Sequence, residues 1–272
     1  MDIGLIGFGG VGQALIKLLI DKESYLLQQY NLKINVKYII KSNGGIYNAS
    51  GINLSEILKV IDENINITCH NEWKDNLNIN DIIDNNDIDT LVELTSTNIE
   101  TGEPGLTHIR KSLENNINVV TGNKGPILLD YKKLKVLADN NNVELKVGCT
   151  TGGALPSING GIYDIAGSKI QSIEGVLNGT TNYILSKMAN DNVDYKEALL
   201  EAQKVGIAES DPSLDVLGYD TASKIIILSN VLMNSDLKLE DLKINGIEEV
   251  RLDDLYKKDN QERFLIYELS YY

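Results

Sequence analysis

Asp2-Ile3-Gly4-Leu5-Ile6-Gly7-Phe8-Gly9-Gly10-Val11-Gly12 opens the chain, an apolar run that closes on glycines spaced Gly-x-Gly-x-x-Gly. Immediately after it, Val11, Ala14, Leu15, Leu18 and Leu19 fall on one face of a helix. In a strand, turn and helix of this kind the first glycine, Gly7, permits the tight turn. The second, Gly9, lets a pyrophosphate approach the backbone. The third, Gly12, lets the helix pack close to the strand, and the first amides of the helix, around Val11, aim at the phosphate. The segment therefore reads as a dinucleotide site. On pattern alone, a glycine turn in an α/β protein that binds something else stays open.

Working outward, 34–40 is rich in β-branched residues and reads as a second strand, with further strands at 89–94, 118–120 and 143–147. Helices are expected over about 103–114 and over 127–138 after Pro126. Strands alternating with helices imply βαβ units and a mainly parallel sheet, a Rossmann-type domain over residues 1–150. Beyond it the texture changes. Gly152-Gly153 and Gly160-Gly161 bracket a small-residue segment, a strand is expected over 170–177, and helices near 183–189, 195–204 and 219–233. Residues 151–272 thus read as an α+β domain for substrate binding, catalysis and dimerisation, with no Pro- or Ser-rich linker before it.

Hydrophobic residues make up 42% and charged residues 24%, enough to bury a core. The net charge of −14 disfavours nucleic acid as a partner. No apolar run approaches the roughly 20 residues needed to cross a bilayer, and the acidic N-terminus does not read as a secretory signal. Two distant cysteines, Cys69 and Cys149, make no disulfide framework. A cytoplasmic protein free of membrane is the expectation. The many asparagines read as codon bias rather than function.

The strand ends carry the next clues. The second strand closes on Ile40-Lys41-Ser42-Asn43-Gly44 without the carboxylate that would accept from the ribose hydroxyls of NAD. Lys41 could pair with a 2′-phosphate, so NADP is preferred over NAD, unless Lys41 is only a solvated loop lysine. Thr95 and Ser96 follow a buried-looking strand, where ligands of open parallel sheets gather, and are candidates for the nicotinamide ribose. Lys124, in Thr121-Gly122-Asn123-Lys124-Gly125-Pro126, has the same placement after the next strand.

The second half carries the specific text. Gly175-Val176-Leu177-Asn178-Gly179-Thr180-Thr181-Asn182-Tyr183-Ile184-Leu185-Ser186-Lys187-Met188 resembles the signature of homoserine dehydrogenases. So does Gly206-Ile207-Ala208-Glu209-Ser210-Asp211-Pro212-Ser213-Leu214-Asp215-Val216-Leu217-Gly218-Tyr219-Asp220-Thr221-Ala222-Ser223-Lys224. Thr97-Asn98-Ile99-Glu100-Thr101-Gly102-Glu103-Pro104-Gly105 is similar to the archaeal-type branch. The resemblance implies reversible NAD(P)-linked interconversion of L-aspartate 4-semialdehyde and L-homoserine, by a homodimer. It implies that Glu209 and Asp220 bind homoserine, that Asp215 supports the site, and that Lys224 is the general acid/base. Lys124 would contact cofactor and substrate, and Gly206 would lie close to the cofactor. Independently, Asp220 and Lys224 are four apart on one expected helix and share a face; alone, that spacing favours a surface ion pair, and the surrounding motif reverses the preference.

Two departures from the family pattern stand out. Where the family often has a glutamate beside a monovalent-cation site, this chain has Gly148, leaving only the carbonyls of Thr151, Gly153 and Leu155 as cation ligands. Cys149 invites a thiol mechanism, but no histidine lies near it in sequence and a buried, inert thiol is the expectation. The end of the chain, Phe264 to Tyr272, reads as an apolar strand, shorter than the family's usual C-terminal segment and without an attached regulatory domain. A shortened relative that binds NAD(P) without turnover is therefore the competing reading.

Overall fold

A computed structural model describes residues 1–256, in two compact units divided between Gly153 and Ala154. The first unit is built on a seven-stranded sheet of order β4-β3-β2-β1-β5-β6-β7. β1 (Asp2–Ile6), β2 (Asn35–Lys41), β5 (Thr90–Glu93), β6 (Asn118–Thr121) and β7 (Leu145–Lys146) run parallel. β3 (Gly44–Tyr47) and β4 (Trp73–Asp75) add an antiparallel edge. The last expected strand, 143–147, shrinks to two residues. The helices are α1 (Gly10–Tyr30), α2 (Leu54–Asp62), α3 (Ile79–Asn85), α4 (Gly105–Glu114) and α5 (Lys124–Asn140).

β1 has β2 on one side and β5 on the other, so the chain reverses its direction of travel across the sheet at β1. Open α/β sheets hold ligands at the carboxyl ends of the strands flanking such a point. Ile3, Leu5, Ile16, Ile39, Ile46 and Ile57 form the core there, with α1 and α2 closed onto the sheet. α5 starts earlier than Pro126 suggests, because proline lacks only an N–H that the first turn of a helix leaves unpaired. The asparagines are more than codon bias. All eight non-glycine residues with positive φ among the described residues are asparagines, and Asn31, Asn86 and Asn192 end helices in the left-handed conformation.

The second unit is helical among the described residues. α6 (Ser157–Asn159) runs into a wider turn at Gly160–Asp164, followed by α7 (Gly179–Asp191), α8 (Tyr195–Lys204), α9 (Ser213–Val216), α10 (Tyr219–Leu232) and α11 (Leu252–Tyr256). Ile184, Met188, Ala198, Ala202 and Val216 pack into its core. The strand expected over 170–177 does not form among the described residues, which corrects that element of the reading. The stretch keeps a strand's alternating exposure from Ser172 to Leu177, but a strand exists only when a neighbour takes its backbone hydrogen bonds. The expected terminal strand, 264–272, lies outside the described residues. No helix among the described residues is long and apolar enough to cross a membrane.

Candidate functional site

The glycine turn has the shape its sequence demands. Gly7 has φ of +100°, and a Cβ there would lie 2.3 Å from the Leu94 carbonyl group, so the turn seats directly on the end of β5. At Gly12 a Cβ would come 2.4 Å from the Gly7 carbonyl oxygen, which fixes how closely α1 approaches the turn. Gly9 and Gly10 face open space instead. Gly9 caps α1 without any side-chain hydrogen bond, so no side chain of the cap competes for the helix's first amides. A cleft of about 850 Å³ opens here, lined by Gly7, Gly9, Val11, Lys41, Ser42, Thr95, Ser96 and His108. Open space over two glycines, at a helix N-terminus beside the switch point, fits a dinucleotide's pyrophosphate.

Lys41 is exposed, and Ser42-Asn43 form the tight turn that joins β2 to β3. The cleft is also lined by Asn76, Leu77 and Asn78, leading into α3 beside this turn, with the Asn76 N–H donating to the Asn43 carbonyl at 3.1 Å; the sequence reading did not single them out. The Asn78–Asp81 capping box was the available signal. His108, on α4, was also missed.

Behind Thr95 lies a residue the sequence reading passed over. Glu93, the last residue of β5, is fully buried. It accepts hydrogen bonds from the Thr95 backbone N–H at 3.0 Å, from the Thr95 hydroxyl, and from the Thr121 hydroxyl at 3.0 Å. Lys124 is half-buried at the first position of α5, directly after its capping residue Asn123.

In the second unit, Asn178 caps α7 and is buried. Its Oδ1 accepts from the Thr181 N–H at 2.8 Å, while Nδ2 donates to Asp215 at 2.6 Å and to Asp220 at 2.9 Å. The Lys224 ammonium pairs with the same Asp220 oxygen, 2.7 Å from Oδ2, and donates to the Leu177 carbonyl at 2.6 Å. Asp220 and Lys224 side chains are only 10% and 19% exposed, so this is no surface ion pair. The structure thus brings together Asp215, Asp220 and Lys224 through Asn178. Asn178 lies inside the quoted signature, but no role was read for it; an asparagine before Gly179-Thr180-Thr181 was the cap signal.

Glu209 stands apart: it is exposed, and among the described residues its carboxylate makes no hydrogen bond or ion pair. Gly206 has φ of +77° at the end of the turn after α8, with nothing within 4 Å of where a Cβ would sit. Asp211 accepts from the Ser213 hydroxyl and backbone, which lowers its pKa. Among the described residues no three His, Cys, Asp or Glu side chains cluster as metal ligands, and Thr151 is buried while Gly153 has φ of +57°. Cys149 is exposed rather than buried, contrary to expectation, because the turn after β7 leaves it at the surface with Sγ 3.5 Å from the Thr121 carbonyl.

Comparison with known proteins bears on both units. A family model described as "Homoserine dehydrogenase, NAD binding domain" matches residues 7–147, and one described as "Homoserine dehydrogenase" matches 156–267. The homoserine dehydrogenase of Methanocaldococcus jannaschii is 40% identical over 256 residues, covering 94% of this chain and 76% of that protein. An "NAD(+)-dependent homoserine dehydrogenase" of Pseudomonas canavaninivorans is 33% identical, covering 97% and 76%. The structure of a hyperthermophilic archaeal homoserine dehydrogenase mutant in complex with NADPH superposes with a TM-score of 0.80 at 27% identity, over 92% of this chain and 75% of that one.

Proposed function

The chain belongs to the homoserine dehydrogenase family, an NAD(P)-dependent enzyme interconverting L-aspartate 4-semialdehyde and L-homoserine, and from that premise we propose how its residues divide the work. The bound nicotinamide supplies or takes the hydride at the aldehyde carbon. Gly7, Gly9, Val11 and Gly12 receive the pyrophosphate, while Thr95 and Ser96 face the nicotinamide ribose. Lys224 donates a proton to the oxygen as it becomes an alkoxide, and in the reverse direction takes it back. Asp220 and Glu209 bind the substrate's ammonium, and Asp215 holds Asp220's partner Asn178 in place. Lys124 contacts cofactor and substrate, and Gly206 lies close to the cofactor.

The observation that carries this reading is the Lys224 ammonium, held between the Asp220 carboxylate and the Leu177 carbonyl on a largely buried helix face. A lysine with two fixed acceptors is oriented for directional proton transfer. With it in place, the alternative of a binding protein without turnover is not favoured. The test is reduction of aspartate semialdehyde followed by nicotinamide absorbance. Lys224→Ala should lower kcat by roughly 10²–10⁴ with cofactor Kd unchanged. Lys124→Ala should impair both. A Lys224→Ala enzyme within about threefold of wild type removes Lys224 from the chemistry.

Finer features follow from the same reading. NADP is the preferred cofactor, supported by Lys41 and Ser42 lining the cleft where no carboxylate ends β2. The enzyme is a cytoplasmic homodimer; for the dimer, support comes from the 172–177 stretch, which pairs with no strand among the described residues and leaves Val176 63% exposed, an edge suited to a second subunit. The carbonyls of Thr151, Gly153 and Leu155 are the candidate ligands of a monovalent cation, which potassium titration of activity tests directly.

A further inference from the structure

We propose that Glu93 is a positioning residue that fixes the start of α5, and with it Lys124, through two hydroxyl relays that both begin at Asn123. The side-chain amide Nδ2 of Asn123 donates to Thr95 Oγ1 at 3.2 Å, and Thr95 Oγ1 donates to Glu93 Oε1. The backbone N–H of Asn123 donates to Thr121 Oγ1 at 3.0 Å, and Thr121 Oγ1 lies 3.0 Å from Glu93 Oε2. Thr121 Oγ1 is also 3.1 Å from the backbone carbonyl of Glu93, so either acceptor of its proton belongs to the same residue. A carboxylate only accepts, so it points both threonine protons inward and leaves their lone pairs for Asn123. With Nδ2 committed to Thr95, Oδ1 of Asn123 is left to accept from the Gly125 N–H, at 3.2 Å, as the cap of α5.

Close packing leaves this arrangement little freedom. A Cβ on Gly125 would sit 2.2 Å from the Asn98 carbonyl oxygen, and one on Gly105 would sit 2.6 Å from Asn123 Nδ2. His108, which lines the nucleotide cleft, holds its buried Nδ1 3.8 Å from Glu93 Oε1 with no hydrogen-bond partner among the described residues. Burying a carboxylate in a sheet core costs stability, and an apolar side chain would end β5 without that cost. The relay gives the carboxylate a use: it sets Asn123, and Asn123 sets the residue that follows it. The consequence for catalysis rests on the role proposed for Lys124.

The experiment uses the full chain and reads positioning and catalysis separately. Glu93→Gln keeps the shape but presents a donor to one threonine, reversing one relay. Hydrogen exchange of the backbone amides within 121–127, all but Pro126, should accelerate at least about tenfold, more than elsewhere in the sheet. kcat should fall about tenfold with homoserine KM within about twofold. Thr121→Val removes one relay without touching the cleft lining and carries the same test if Glu93→Gln does not fold. Exchange over 121–127 unchanged from wild type overturns the proposal. So does accelerated exchange with unchanged kcat in an enzyme that Lys124→Ala impairs, because Glu93 would then serve only the fold. Accelerated exchange together with a fully active Lys124→Ala enzyme leaves Glu93 as the organiser of α5 and refutes the role of Lys124 instead.

Discussion

Asn178→Asp is the most informative single change in the second unit, because it preserves shape and cap while inverting the electrostatics. Oδ1 still accepts from the Thr181 N–H, so the start of α7 survives. Nδ2, which donates at 2.6 Å to Asp215 and 2.9 Å to Asp220, becomes a third carboxylate oxygen. At an effective dielectric near 20, like charges about 3 Å apart repel by roughly 5 kcal/mol, more than the fold would tolerate twice. The new carboxyl therefore takes up a proton. Keeping a group of ordinary pKa near 3.9 protonated at pH 7 costs about 4 kcal/mol, which caps the penalty. The shared proton restores one of the two lost hydrogen bonds, so a loss of about 2–4 kcal/mol at pH 7 is expected. The new group's folded pKa is raised, so the variant's deficit is smallest below about pH 4, grows as pH rises, and levels off above the raised value. Urea unfolding of wild type and variant across that range measures it. A gap that is flat with pH would show that Asn178 does not sit between two charged carboxylates, and the architecture argued for the site would fall.

Lys41→Asp should move kcat/KM preference towards NADH by about 1–3 kcal/mol, through lost attraction and new repulsion of a 2′-phosphate. Added salt should weaken NADPH binding more than NADH binding in wild type; equal use of both by wild type, with no response to the mutation, leaves Lys41 a solvated charge. Tyr38 is fully buried, donating to Asp87 at 2.8 Å and accepting from Asn85 at 2.7 Å, and burial pushes its phenol above the usual range. The stability this group contributes is complete below about pH 10 and lost above it. Tyr38→Phe should cost about 1–2 kcal/mol at neutral pH but flatten the alkaline decline of the thermal midpoint; an identical decline would exclude Tyr38 as its source.

Much of the first unit was legible because its signals are local. Apolar runs and the Gly7–Gly12 spacing each depend on a few neighbouring residues and reappear in the structure, as does the Asp220–Lys224 interval of the second unit. The β3–β4 edge was not read, since Gly44–Tyr47 and Trp73–Asp75 are short and gain their identity from pairing, the first with β2 and the second with the first. The stretch 170–177 erred in the opposite direction: its local pattern is that of a strand, but the described residues offer it no partner.

The sequence by itself determined the α/β start, the turn over which a pyrophosphate fits, and, through long motifs, the family. Periodicity and steric demands at glycine are properties of adjacent residues, and a signature of many residues needs no geometry to be recognised. Only the tertiary structure decided that Asn178 joins Asp215 to Asp220, that Glu209 stands outside that cluster, and that Glu93 gathers both relays from Asn123. Those facts concern polar side chains from segments far apart in the chain. A buried donor must find an acceptor, and which one it finds is set by the packing that brings the segments together.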